Sequence, residues 1–267
     1  MKLRVATYNI HKGVTVRGRP RVHDVRMALQ AMNADIVFLQ EVQDRNERLA
    51  ARHASYPKST QIEFLAAQIY EHHAYGMNAV YPHGHHGNAI LSRHAIRQFT
   101  NHDVSDHALE KRGLLHAVCR LGKRDVHLIC VHFGLFKRSR LRQASFLIDF
   151  VESEVPAKAP LIVAGDFNDW QRRVDTELRR RLGVIEVSDA VTEPTLLDRL
   201  LPWRKVERAN GVRKARLART YPALLPWLHL DRIYLRGFRV TAVHVPRGPA
   251  WAKRSDHVPL IAEVQFA

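Results

Sequence analysis

The stretch Leu161-Ile162-Val163-Ala164-Gly165-Asp166-Phe167-Asn168 decides more about the fold than any other part of the chain. Four consecutive aliphatic residues ending in a polar cluster read as a strand. A strand end is a fixed point from which the next loop is free to vary, so side chains placed there suit a functional site. Asp166 and Asn168 are two residues apart, and an extended backbone directs both to one side. One is suited to accept a proton or hold a water while the other donates to a phosphate oxygen. Gly165 permits close approach of the backbone.

Working outward, the same short runs of Val, Ile and Leu recur at 3–10, 35–41, 88–91, 114–121, 126–132, 231–235, 240–245 and 258–266. Segments 22–32, 64–70, 141–155 and 172–182 carry apolar residues at helical spacing. Strands interleaved with helices predict an α/β or α+β fold. The runs 114–121 and 126–132, joined by Gly122-Lys123-Arg124-Asp125, predict an antiparallel hairpin, and with it mixed sheets. The stretch 72–86, rich in His, Gly and Tyr, reads as a surface loop, and 193–230 as a second irregular region. Strand patterns resume on both sides of each, so 1–267 is expected to form one domain.

Five further places repeat the theme of a polar residue at the end of an apolar run. The first strand ends in Tyr8-Asn9-Ile10-His11-Lys12-Gly13, where Asn9 offers an amide and Lys12-Gly13 suits a turn beside an anion. The second runs Asp35-Ile36-Val37-Phe38-Leu39-Gln40-Glu41; a carboxylate there is costly if buried alone, and either a hard divalent cation or a Lys or Arg compensates it. Val131-His132-Phe133 closes another strand with an imidazole. The last two elements are Leu230-Asp231-Arg232-Ile233 and Ser255-Asp256-His257-Val258. Adjacent Asp256 and His257 should point to opposite sides, one towards a metal and one towards substrate. A carboxylate such as Asp231 would bond the imidazole and favour its charged form.

Composition narrows the class of protein. With 267 residues, 46% hydrophobic and 25% charged, the chain is neither disordered nor fibrous. Its two cysteines, Cys119 and Cys130, build no disulfide framework or structural zinc site, which fits a reducing compartment. No stretch approaches the roughly 18 apolar residues of a membrane helix, and the N-terminus lacks the pattern of a secretory signal. The expectation is a cytoplasmic protein. A formal charge of +16, with 17 histidines besides, points to a polyanionic partner: nucleic acid or an anionic membrane face.

In order along the chain, YNIHKG, DIVFLQE, GNAILSR, VHF, AGDFND, LDRIYL and SDHVPL closely resemble the motif series of the endonuclease/exonuclease/phosphatase superfamily, the DNase I-like and exonuclease III-like enzymes. The resemblance implies a four-layer α/β/β/α sandwich of two mixed sheets and hydrolysis of phosphoester bonds with Mg²⁺ or Mn²⁺. By motif position it implies Glu41 as principal metal ligand, with Asn9 and Asp256 near the ion directly or through water. Asp166 would orient or deprotonate the attacking water, and Asn168 would bind the scissile phosphate. His257, bonded to Asp231, would do acid–base or charge-stabilising work, and His132 would hold a phosphate oxygen. Lys12 and Arg112 are assigned to substrate phosphate. A cation with His, Asn and Lys donors would stabilise the charge that in-line attack develops.

Fold and catalytic core leave the substrate open. The charge, and the Lys- and Arg-rich cluster at 204–219, favour DNA through counterion release. Against DNA stands the apolar run Thr220-Tyr221-Pro222-Ala223-Leu224-Leu225-Pro226-Trp227-Leu228; with the NIHKG opening it resembles small bacterial members of uncertain substrate, and it suits a phospholipid or sphingomyelin headgroup. Trp203, Trp227 and Trp251 suit base stacking or a membrane interface. The sequence thus favours a DNA nuclease, then a lipid phosphodiesterase. A catalytically silent basic binding module fits less well, because every expected catalytic position is filled.

Overall fold

The first strand shows how the molecule is layered. In β1 (Lys2–Asn9), Leu3 and Val5 join one apolar cluster while Ala6 and Tyr8 join another, because alternate side chains leave opposite faces of a strand. The computed structural model describes residues 1–15, 17–108, 110–190 and 217–267. Trp203 and most of the 204–219 cluster lie outside the described residues. No helix among the described residues is long and apolar enough to cross a membrane.

Sheet one has the order β11 (Phe238–His244), β12 (Leu260–Phe266), β1, β2 (Ile36–Asn46), β4 (Gly84–Ser92), β3 (His72–Tyr81). Sheet two has the order β5 (Ile96–Asp103), β6 (Gly113–Leu121), β7 (Arg124–His132), β8 (Leu161–Asp166), β10 (Asp231–Arg236), β9 (Ile185–Glu186). Each is mixed: β1–β2 and β7–β8 are parallel, and the remaining pairs are antiparallel. The parallel pairs are crossed by α1 (Val22–Met32) and α4 (Lys137–Glu154), as parallel strands require.

The inner faces meet in a core that takes Val5, Phe38 and Ile90 from sheet one and Leu128, Ile162 and Ile233 from sheet two. On the outer face of sheet one, α1 and α3 (Gln61–Ala66) bury Val25, Leu29 and Leu65. On the outer face of sheet two, α4 and α5 (Arg173–Leu182) bury Leu147, Val151 and Leu178. The result is the four-layer α/β/β/α sandwich. Smaller helices α2 (Glu47–Arg52), α6 (Val187–Ala190) and α7 (Pro249–Ala252), with a 3₁₀ turn at His11–Gly13, complete the described elements.

The hairpin expected at 114–132 is present, with a turn of two residues, Gly122 and Lys123, between Leu121 and its partner Arg124. The stretch 72–86 is a correction, for it forms β3 and the start of β4. Its few buried residues are small, Ala74 and Ala79 among them, so an edge strand left almost no aliphatic signal. Strand β5 went unforeseen for a related reason: its side chains are almost all exposed. The helix read at 64–70 sits earlier, at α3, where Thr60 and Glu63 form a capping box.

Candidate active site

Several strands carry apolar residues along the inter-sheet face and then change character at one end. On β1 the inward series Leu3, Val5 continues as Thr7 and Asn9. On β7 the series Val126, Leu128, Cys130 ends in His132, and on β8 Ile162, Ala164 ends in Asp166. On β10, read backwards, Leu235 and Ile233 lead to Asp231, which pairs with Asp166. The polar ends converge: Asn9 Nδ2 donates to Asp166 Oδ2 at 3.1 Å, tying one sheet to the other.

Glu41 reaches this cluster by a different route. Strict alternation would send it with Val37 and Leu39 to the helix side of β2. Instead β2 bulges against β4, because Leu39 pairs with Ala89 and Val42 with Gly87, one residue more on β2 than on β4. Glu41 takes φ +56° in that bulge, and its Oε1 accepts from Asn9 Nδ2 at 3.4 Å. His11, Lys12 and Asn168 also have φ between +46° and +59°. Left-handed backbone at non-glycine residues is unfavourable, and four of the seven such residues described gather around this one site.

Asp166 is buried at the centre. Its Oδ1 accepts the Asn168 backbone N–H at 3.0 Å, and its Oδ2 lies 3.7 Å from both His132 Nε2 and His257 Nε2. Burial pushes its carboxyl above the usual range, opposed by the His257 charge. Gly165 is required just before it, since a Cβ there would lie 1.9 Å from the Val131 carbonyl oxygen. The expectation that Asp166 and Asn168 share one side of an extended strand is corrected. The chain turns at Asn168, whose Nδ2 donates to the Phe133 carbonyl at 2.9 Å.

His257 Nδ1 lies 2.7 Å from Asp231 Oδ2, and the Tyr221 ring packs against the imidazole at 4.9 Å between centroids. Burial alone would strip the ring of its second proton, but Asp231, with Asp166 and Asp256 near, raises its pKa to about 10. His132 behaves oppositely: burial and the nearby Arg112 charge hold it well below the ordinary value, so it is neutral.

Asp256 does turn away from its neighbour. Its Oδ2 lies 3.3 Å from His11 Nδ1, while Ser255 Oγ lies 3.2 Å from its Oδ1 and donates to the Asn9 carbonyl at 2.7 Å. Lys12 and Arg112 both act electrostatically on His132 and His86, which places their charges at the same end of the sandwich. The Arg112 Nε is buried with no protein partner, as are His86 Nδ1, Asn88 Oδ1 and Asp231 Oδ1.

Two sets of donors in this cluster bear on a metal ion. Among the described residues one group of three, Asp166, Asp231 and His257, has ligand atoms within 4.8 Å of one another. In it His257 Nδ1 and an Asp231 oxygen are already engaged with each other at 2.7 Å. Glu41 offers the better fit: no Lys or Arg nitrogen among the described residues lies within ion-pairing distance of it, and its neighbours are the oxygen- and amide-rich Asn9 and Asp166. That donor set suits a hard divalent cation.

Sequence reasoning passed over His86, Asn88, Ser255 and Tyr221. Asn88 lies within GNAILSR, and its Nδ2 donates across to the Gly113 carbonyl of sheet two at 2.9 Å. A polar residue in an otherwise apolar strand was the signal for it. Tyr221 carried none, because its contact with His257 spans 36 residues of sequence and depends wholly on tertiary folding.

A sequence profile described as the Endonuclease/Exonuclease/phosphatase family matches residues 6–257. The Escherichia coli K12 protein YbhP, described as uncharacterized, is 39% identical over 269 residues, covering 98% of this chain and 96% of its own. An endonuclease/exonuclease/phosphatase structure from Bacteroides vulgatus superposes with a TM-score of 0.72 at 15% identity, covering 100% of both chains. D. rerio TDP2, in complex with a single-strand DNA product, gives 0.67 at 17% identity, covering 99% of each.

Proposed function

Because this chain belongs to the endonuclease/exonuclease/phosphatase family, whose members are generally hydrolases of phosphoester bonds, we propose that it is a divalent-metal-dependent phosphodiester hydrolase with its active site at the polar end of the sandwich. The observation that carries the reading is the cross-sheet cluster: Asn9, Asp166, His257 and Asp231 in continuous contact beside a Glu41 carboxylate with no Lys or Arg partner among the described residues.

Glu41 would hold the ion, with Asn9 and Asp256 beside it. When bound, Mg²⁺ or Mn²⁺ supplies positive charge to the phosphate oxygens during in-line attack. Asp166, fixed by the Asn168 N–H and the Asn9 amide, orients a water and takes its proton. His257, kept protonated by Asp231, meets the charge growing on a non-bridging oxygen, and neutral His132 donates a further hydrogen bond. Asn168 keeps one amide hydrogen for the scissile phosphate besides that on Phe133. Lys12 and Arg112 draw the substrate phosphate in.

The test is turnover of bis(p-nitrophenyl) phosphate and nicking of plasmid DNA with Mg²⁺, Mn²⁺ or EDTA. Turnover lost with EDTA and with Asp166→Ala is expected; turnover indifferent to both sinks the reading. DNA is the substrate favoured by the +16 charge, and a structural neighbour, TDP2, was crystallised with a DNA product. A lipid phosphodiester is the second reading, and the observation favouring it is exposed Leu224, Leu225 and Trp227 on the loop that touches His257.

A further inference from the structure

Residues 220–230 form a closed loop stitched to the catalytic segment. Its base is a bridge between Tyr221 and Leu228, with Leu228 N–H donating to the Tyr221 carbonyl at 2.8 Å. Ala223 N–H donates to the Asp256 carbonyl at 2.7 Å, and Val258 N–H to the Thr220 carbonyl at 2.9 Å. Tyr221 lies on His257. The loop and the His257 segment therefore move as one piece.

The outward side of this loop is apolar. Leu224 is 84% exposed, Leu225 76% and Trp227 62%, beyond any other aliphatic or aromatic cluster among the described residues. A solitary exposed leucine is ordinary; two leucines and a tryptophan within four positions, at the mouth of a site, call for a partner. Beside them lies a cleft of about 470 Å³ lined by Arg17, Arg19, Arg21, Lys253 and Arg254, with Leu224 on its wall. Its one acid, Asp256, already faces His11. Further apolar tips leave the same strand ends: Leu135 and Phe136 follow His132, and Trp170 follows Asp166.

We propose that this rim is a membrane-docking surface, in which Leu224, Leu225 and Trp227 enter the interface of an anionic bilayer while the basic cleft receives a lipid headgroup phosphate. Aliphatic tips select this partner over nucleic acid. A leucine has no face on which a base can stack, and nucleic-acid interfaces are polar and wet. An apolar wedge with an amphipathic tryptophan and a ring of arginines is what an anionic lipid interface takes up. Docking would hold His257 and Asp166 at a fixed depth beside the headgroup. That the headgroup is also hydrolysed rests on the hydrolase reading above; the docking itself does not.

The experiment is co-sedimentation of the full chain with vesicles of phosphatidylcholine alone or mixed with phosphatidylglycerol, alongside single-stranded DNA binding and bis(p-nitrophenyl) phosphate turnover. The wild type is expected to partition onto the mixed vesicles and hardly onto phosphatidylcholine. Leu225→Ser with Trp227→Ser, both outside the cleft wall, should weaken that partition at least roughly tenfold while soluble turnover and melting temperature stay unchanged. Arg17→Glu with Arg19→Glu should weaken it on the mixed vesicles too. A wild type that stays in the supernatant, or a double serine variant that partitions like wild type, overturns the proposal. So does DNA binding that needs Leu225 and Trp227 without vesicle partition, which would give the rim to nucleic acid. Vesicle partition by a protein that hydrolyses no phosphodiester supports docking and removes the hydrolase reading instead.

Discussion

In sheet one the third and fourth strands are β1 and β2, in sheet two they are β7 and β8, and in each sheet that pair alone is parallel and crossed by a helix. Each parallel pair ends in site residues: Asn9 and the bulged Glu41 on one side, His132 and Asp166 on the other. The plan repeats, but the furnishing differs. Sheet two delivers its residues by plain alternation and backs them with a buried charge network on its outer face. There Arg232 contacts Asp169 and Tyr234, and Tyr234 donates to Asp175 at 2.9 Å. Sheet one backs its site with an apolar cluster and delivers Glu41 through a backbone irregularity. The groups proposed to handle protons thus sit on an ionic footing, while the carboxylate proposed to hold a cation sits on a strained bulge.

The largest effect expected from this division is on chemistry in sheet two. Asp166→Asn should lower kcat by at least about 10³-fold with little change in KM, since it removes the proton acceptor and keeps the shape. Near-normal kcat would mean that the sheet-two cluster is misassigned. The network behind it comes next. Arg232 is fully buried, so Arg232→Met leaves the buried Asp169 without its ion-pair partner and should destabilise the fold by roughly 3–5 kcal/mol in urea unfolding. A loss below about 1 kcal/mol would put the footing elsewhere.

Sheet two also carries a buried acid at its edge. Burial lifts Glu186, beside a His229 that burial keeps neutral, from 4.5 to about 7. A raised carboxyl favours the protonated form in the folded state, so its stabilising contribution is complete below about pH 4.5 and is lost as pH rises to 7. Glu186→Gln should flatten the fall in stability between pH 5 and 7; an unchanged slope would remove Glu186 as its source.

The smaller effects test sheet one. Glu41→Gln should raise the Mg²⁺ concentration for half-maximal rate at least about tenfold, and an unaltered metal titration would break the proposed division. Smallest of all, Glu41→Gly should leave the melting temperature level or raise stability by up to about 1 kcal/mol while activity falls, because glycine accepts φ +56° freely. A clear fall in stability would show that the bulge is held by the side chain and carries no strain.

Alternation made much of this legible. The inward runs ending in Asp166, His132 and Asp231 are visible in the sequence because burial imposes a period of two and a polar interruption stands out against it. Order and spacing of the motifs did the rest for the family. Glu41 could be read as a residue but not as a geometry: nothing local announces the extra residue that turns it from the helix side into the site. Edge strands β3 and β5 were hidden because an edge needs little apolar sequence, and Asn168 was placed on the wrong backbone because its turn is made by a bond to Asp166.

By itself, then, the sequence determined the layered α/β architecture, the family and which residues are candidates for chemistry, since these follow from residue type, period and order. Only the tertiary structure decided which charges meet. The 2.7 Å bond between His257 and Asp231, the Asn9 bridge from Glu41 to Asp166, and the exposed leucines beside that mouth join segments far apart in the chain. Contact at such separations is set by how two sheets pack, and electrostatic energy depends on the final distance and burial rather than on position along the chain.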